Sequence, residues 1–212
     1  MSRLFTYVLA HDNGAAPNPF GGVCTLVICK PQIRSAAKEG DWIVGTGPAN
    51  SPIGDIRGYL IYAMRVTGKM PMWQYDAYAQ EHLPEKLPDW RSAHPPAMVG
   101  DAIYDFSHNP PVMRKGVHDE SDRERDLRGE YALLSEEFYY FGSQPAELPE
   151  QLIPIVKNGQ GHRSTSNDDY LNDFLAWLKG LGLTPNQLYG KPSGPLFQNW
   201  DDPGSLKPNC SS

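Results

Sequence analysis

Gly58-Tyr59-Leu60-Ile61-Tyr62-Ala63-Met64-Arg65-Val66 sets Leu60, Tyr62, Met64 and Val66 against Tyr59, Ile61, Ala63 and Arg65. Alternation with period two puts the two rows of side chains on opposite faces of a strand, so this segment predicts the longest strand of a sheet. Upstream, Leu4–Ala10, Val23–Cys29 and Asp41–Gly45 are short apolar, β-branched or aromatic runs that suit buried strands. Downstream, Met98–Phe106, Tyr131–Leu134 and Phe138–Phe141 are further strand candidates. Lys30–Gly40 reads as a short helix, with Pro31 in its first turn, Ile33, Ala36 and Ala37 facing inward and Gly40 as its stop. Met72–His82, Leu152–Val156 and Asp168–Lys179 also read as helical. The last has Thr165 or Ser166 as its cap, Asp168 and Asp169 at the positive end of its dipole, Tyr170, Leu171, Phe174, Leu175 and Leu178 on one apolar face, and Lys179-Gly180 as its stop. The expected fold is α+β: a twisted, mainly antiparallel sheet, or such a sheet closed into a small β-barrel, with helices in the connections.

The chain has 212 residues, 20 of them Gly and 20 Pro, with a formal charge of -6. That length suits one α+β domain over 1–190, followed by a mostly irregular, proline-rich tail over 191–212 that ends at an exposed Cys210. The negative charge is concentrated: residues 116–150 hold ten acids and three arginines, a run that reads as a solvated loop, Asp126 included. An acidic total argues against a protein that coats duplex DNA, whose binding rests on many Lys and Arg contacts to phosphate, but leaves room for a local basic site. No apolar run is long enough to span a membrane and the N-terminus lacks the pattern of a signal peptide, so a cytoplasmic protein is expected. Cys24 and Cys29 point to opposite faces of one strand and are not expected to be bridged, and the six histidines show no metal-ligand spacing. No metal is therefore expected, and the sequence names no cofactor.

Three constellations carry polar chemistry. Between the first two strands, His11–Gly22 is a long run of turn formers that offers Asp12 and, rigidly framed by Pro17 and Pro19, the carboxamide of Asn18; Lys30, Arg34 and Lys38 follow at helical spacing as a basic stripe. A carboxamide held in this way can pair with a base edge or grip a sugar or phosphate. Asn158-Gly159-Gln160-Gly161-His162-Arg163 precedes the capped helix. There the glycines allow close backbone approach, His162 titrates near neutrality and Arg163 recognises phosphate as a fork, although no phosphate-loop motif is present. Gly100-Asp101-Ala102-Ile103-Tyr104-Asp105 offers Asp101 as a general base, with Tyr104 nearby and His118 working opposite. Asp55 and Arg57 read as a turn and a strand start. Cys24 reads as a small core residue, whereas Cys29 beside Lys30 is a thiol that a neighbouring cation can activate, with no local triad motif to support it.

Taken together, Ala16-Pro17-Asn18-Pro19-Phe20, Cys24-Thr25-Leu26, Cys29-Lys30-Pro31, Ile33-Arg34 and Gly40-Asp41-Trp42-Ile43-Val44-Gly45 resemble the opening of the nucleotide modification associated domain 2 family. Tyr59–Met64, Gly100–Tyr104, Phe138–Gly142 and Gly161–Arg163 continue the resemblance, which runs from residue 4 to about residue 180. It implies a prokaryotic or phage protein from systems that hypermodify nucleotides or DNA bases. The strand pair Gly40–Gly45 and Gly58–Val66 is also similar to that of PUA-like barrels of the ASCH and EVE types, which hold a nucleic-acid base in an aromatic and polar mouth.

Two functions follow as expectations. One is an enzyme acting on a nucleotide or on a single flipped base of nucleic acid, with Asp101 and His162 moving protons and Asp12, Asn18, Lys30, Arg34, Tyr104, His118 and Arg163 binding substrate. The other is a non-catalytic PUA-like reader that stacks a modified base on Trp42 or Tyr62 and engages phosphate with Arg34 and Arg163. A purely structural partner protein is less favoured, since the polar, glycine-rich loops would then lack a purpose.

Overall fold

The computed structural model describes residues 2–200. Cys210 and the rest of the expected tail beyond residue 200 lie outside the described residues. In chain order the elements are β1 (Leu4–Val8), β2 (Cys24–Leu26), α1 (Pro31–Ala36), β3 (Trp42–Thr46), β4 (Tyr59–Arg65), β5 (Gly68–Pro71), α2 (Met72–His82), α3 (Pro95–Met98), β6 (Tyr104–Asp105), β7 (Val112–Met113), α4 (Arg123–Leu127), β8 (Tyr131–Ser135), β9 (Glu137–Tyr140), β10 (Ala146–Glu147), β11 (His162–Arg163), α5 (Leu171–Gly180) and β12 (Gln187–Leu188). Single 3-10 turns at Glu150–Ile155 and Thr165–Tyr170 complete the helical content used below.

The fold is α+β. Its main sheet runs β11-β1-β3-β4-β9-β12, with β10 also paired to β4. The β1–β3 and β9–β12 pairs are parallel and the others antiparallel. A second sheet, β2-β8-β5, is antiparallel throughout, and β6 with β7 forms a separate hairpin. Among the described residues the main sheet stays open, with β11 and β12 as its edges, so the expectation of a closed PUA-like barrel is not met.

Alternation along the strands explains why the sheet is covered on both faces. Phe5, Tyr7, Ile43, Met64, Phe138 and Tyr140 enter one core, where the second sheet and α2 pack. Leu4, Trp42, Val44 and Ala63 enter the other, beneath Phe174 and Leu178 of α5 and Leu152 and Ile155 of the 3-10 turn. A β-bulge interrupts the predicted alternation in β4. Gly45 pairs with Tyr62 but Thr46 pairs with Leu60, which leaves Ile61 as the extra residue. Leu60 and Tyr62 therefore fall in different cores instead of sharing a face.

Other boundaries shift for local reasons. Residues 98–106 form little strand: Pro95 and Pro96 start α3, and only Tyr104–Asp105 pairs. Helix α1 ends at Ala36, with Ala37 already extended, so Lys38 lies beyond it and no continuous basic stripe forms. Thr165 and Ser166 do not cap α5; they lie in the preceding 3-10 turn, and Tyr170 occupies the cap position without a side-chain bond. Residues 191–200 pack back on the loop before β2, where Phe197 is fully buried and stacks on Phe20.

Candidate active site

A cleft of about 1290 Å³ opens between α1, the ends of β1 and β3, α4 and the 156–162 loop. Five cationic side chains line it, Lys30, Arg57, Arg125, Arg128 and Lys157, and no Asp or Glu does. Arg57 pairs with Asp55, and Arg125 with Asp122 and, at 3.9 Å, Asp126, acids that do not line the cleft. No ion pair among the described residues involves Lys30, Arg128 or Lys157. In a chain of net charge -6 such a lining concentrates positive potential where an anion enters.

Cys29 stands on the wall of this cleft because of how the chain leaves β2. Val27 and Ile28 are buried, Cys29 and Lys30 then take successive left-handed conformations (φ 58° and 40°), and Pro31 opens α1. Non-glycine residues are uncommon there and hold only where the surroundings fix them. Here they do: the Cys29 N–H donates to Asp126 Oδ1 at 2.8 Å, and the Cys29 carbonyl accepts from Arg34 Nε at 2.8 Å. Arg34 also donates to the carbonyls of Tyr131, at 2.9 Å, and of Asp126, clamping α1, α4 and β8 together. Burial lowers its pKa to about 10, and Asp126 and Cys29 oppose the shift, so the guanidinium remains charged near neutrality.

Beside the thiol lies a compact Cys–His–Asp group. Cys29 Sγ is 3.3 Å from His118 Nε2, and His118 Nδ1 is 2.6 Å from Asp126 Oδ2. Asp126 also accepts from the Tyr104 hydroxyl at 3.1 Å. Asp126 is fully buried and His118 nearly so. Burial disfavours the His118 imidazolium, but its bonds to Asp126 and Cys29 outweigh this and hold its pKa up at about 10. Burial raises the Asp126 carboxyl, and the His118 bond and charge bring it below its usual range. The thiol, imidazole and carboxylate also form the one grouping of possible metal donors among the described residues, their atoms within 4.8 Å of one another. The imidazole lies between the other two, one ring nitrogen toward each, which is the arrangement of a proton relay.

The structure sorts the residues singled out from the sequence. Lys30 and His162 line the cleft, His118 faces Cys29, and Tyr104 supports Asp126 from behind. Lys30 Nζ lies 4.2 Å from the Tyr7 ring centre, and burial lowers its pKa. Burial and the nearby Arg3 and Lys30 charges lower that of His162.

Asp12, Asn18, Arg34 and Asp101 are buried and do not line the cleft. Burial raises the Asp12 pKa to about 6, and its carboxylate accepts from the Tyr140 hydroxyl and Ser193 N–H. The Asn18 amide donates to the Val99 carbonyl and accepts from Lys86 and Phe20, so its polar atoms serve the loop. Asp101 accepts from Tyr75 at 2.6 Å and Thr25 at 2.5 Å, away from the thiol relay, and His118 works opposite Cys29 rather than Asp101. Arg163 does not line the cleft and donates to Ser166 and the Val156 carbonyl. Trp42 and Tyr62, the expected stacking surfaces, are core residues.

The sequence reading missed Asp126, hidden in an acidic run, and Arg57, Arg125, Arg128 and Lys157, which are distant in sequence from Lys30. The Cys29-Lys30-Pro31 junction was the legible clue.

A model of the nucleotide modification associated domain 2 matches residues 1–199. The chain belongs to this family. Its printed description ties the family to nucleotide modification without naming a reaction. Neither a curated protein nor a solved structure matches the chain. No helix of the described residues is long and apolar enough to cross a membrane.

Proposed function

We propose that this family member is an enzyme acting on a nucleotide, or on a flipped base of nucleic acid, whose phosphate is held in the cationic cleft. The carrying observation is the cleft itself: five cationic side chains, no lining carboxylate, and a thiol with a His–Asp relay at its wall. Phosphate suits such a lining, because arginine forks and lysine charges complement its oxygens. Lys157, Asn158, Gly159, Gln160, Gly161 and His162 line the same cleft, and the two glycines permit close approach. A reader of modified bases would need aromatic surfaces, and His162 is the sole aromatic ring among the described lining residues.

Thermal-shift measurements with nucleoside mono-, di- and triphosphates and short single-stranded oligonucleotides test this reading. A ligand at 100 times its dissociation constant should stabilise the protein by roughly 2.7 kcal/mol. Arg128→Ala and Lys157→Ala should weaken that ligand. If no nucleotide or oligonucleotide shifts the wild-type transition, the reading fails.

A further inference from the structure

We propose that Cys29 is a catalytic nucleophile which forms a thioester with an acyl group, amide or ester, carried by an anionic substrate, with His118 as its proton carrier and Asp126 and Arg34 as positioning residues. Three independent observations converge on the thiol. It lines a cleft large enough for a nucleotide-sized ligand. Its backbone is fixed from both sides, by Asp126 at the N–H and Arg34 at the carbonyl. Its sulfur faces an imidazole whose far nitrogen is held by a buried carboxylate, the order of groups that activates a thiol and orients its base.

The acyl class follows from what this relay supplies. A carbon–nitrogen or carbon–oxygen bond breaks readily only if the leaving group is protonated, and an imidazolium next to the nucleophile provides that proton. In the first half His118 already stands as the imidazolium, and Cys29 attacks the carbonyl carbon as the thiolate paired with it at 3.3 Å. A C–S bond forms and the carbonyl electron pair moves to oxygen. As that pair returns, the C–N or C–O bond breaks and His118 protonates the departing amine or alcohol. In the second half, water or an acceptor amine gives its proton to the now neutral His118 and attacks the thioester, the C–S bond breaks to release the acyl product, and the Cys29 thiolate is restored beside the His118 imidazolium. No oxidant or reductant is required. That the substrate is anionic rests on the nucleotide reading above; the thioester chemistry rests on the relay.

The test uses the full chain in a Cys210→Ser background with p-nitrophenyl acetate as the acyl probe. Peptide mapping should find acetyl on Cys29, removable by hydroxylamine, and none on the buried Cys24. His118→Asn should slow acylation at neutral pH by about 10²–10⁴-fold, the usual contribution of a positioned acid–base group. Asp126→Asn should alter the pH profile of acylation while the circular dichroism spectrum stays that of the wild type. Should the variants fail to fold, the pH profile of wild-type acylation still decides, since it should report the Cys29–His118 pair and not a simple thiol. Equal rates with and without His118, acyl transfer to another residue, or a stoichiometric transition metal held through Cys29 in the purified protein would each overturn the proposal. Nucleotide protection separates the two readings. Acylation that depends on His118 but ignores every nucleotide leaves the thioester chemistry standing and removes the nucleotide; nucleotide binding without His118-dependent acylation does the reverse.

Discussion

Arg34 is a surface cation by residue type and a core residue by position. Its guanidinium bonds three carbonyls, those of Cys29, Tyr131 and Asp126, which belong to three separate stretches of chain. Arg34→Met keeps the bulk and removes every one of those bonds, leaving buried carbonyls without donors. Urea denaturation should show a loss of roughly 3 kcal/mol. His118 gives a second prediction at this scale. Its folded pKa of about 10 stands above the ordinary 6.5, so the native protein keeps a proton that the unfolded chain releases between those values. That stabilisation is fully present below about pH 6.5 and is lost as the pH rises through about 10. Denaturation midpoints should therefore fall across this window in the wild type and respond much less in His118→Asn.

Helix α5 and the turn before it seal one face of the sheet, and their seating rests on few side chains. Phe174 is fully buried and meets Trp42 of β3 edge to face, with ring centres 6.3 Å apart. Phe174→Ala should cost about 3–5 kcal/mol by denaturation, the range for emptying such a site. The effect on the α1 and α4 side of the cleft should be smaller, because no residue of either helix belongs to that core, whereas Val156 both packs against it and lines the cleft. The segment around α3 is equally constrained. A Cβ on Gly100 would stand 2.4 Å from the Lys86 carbonyl oxygen, which is backbone and cannot swing aside. Gly100→Ala should lower the yield of folded protein, measured as soluble fraction and melting temperature, by moving the segment that carries Lys86 and Asp101. Element identity was largely legible in advance: β1, β3, β4, α2 and α5 follow from period and terminators. The bulge at Ile61 was not, because register depends on the partner strand, and the sequence of β4 alone does not contain its neighbour.

Across the whole molecule, charge is segregated. The acidic run at 116–150 makes the total negative, yet Arg125 and Arg128 from within that run turn toward the cleft beside Lys30, Arg57 and Lys157. Nucleotide affinity should therefore fall as salt is raised from ~0.1 M to ~1 M, where the screening length shrinks from ~10 Å to ~3 Å. Salt-independent affinity in calorimetric titrations would point to apolar recognition instead. Periodicity and turn residues determined by themselves that this chain builds an α+β fold with a mainly antiparallel sheet, and its motifs carried the family resemblance. Only the tertiary structure brought Cys29, His118 and Asp126 together. Cys29 and His118 are 89 residues apart, Cys29 and Asp126 97, and the sequence marked Asp101 and Asn18 more strongly than either acid or thiol in the relay. The physical reason is that hydrophobic period reports which side of an element is covered, whereas the partner of a polar atom is set by strand order and loop path. Those placed Asn18 and Asp101 in a satisfied interior and left Cys29 on the cleft wall.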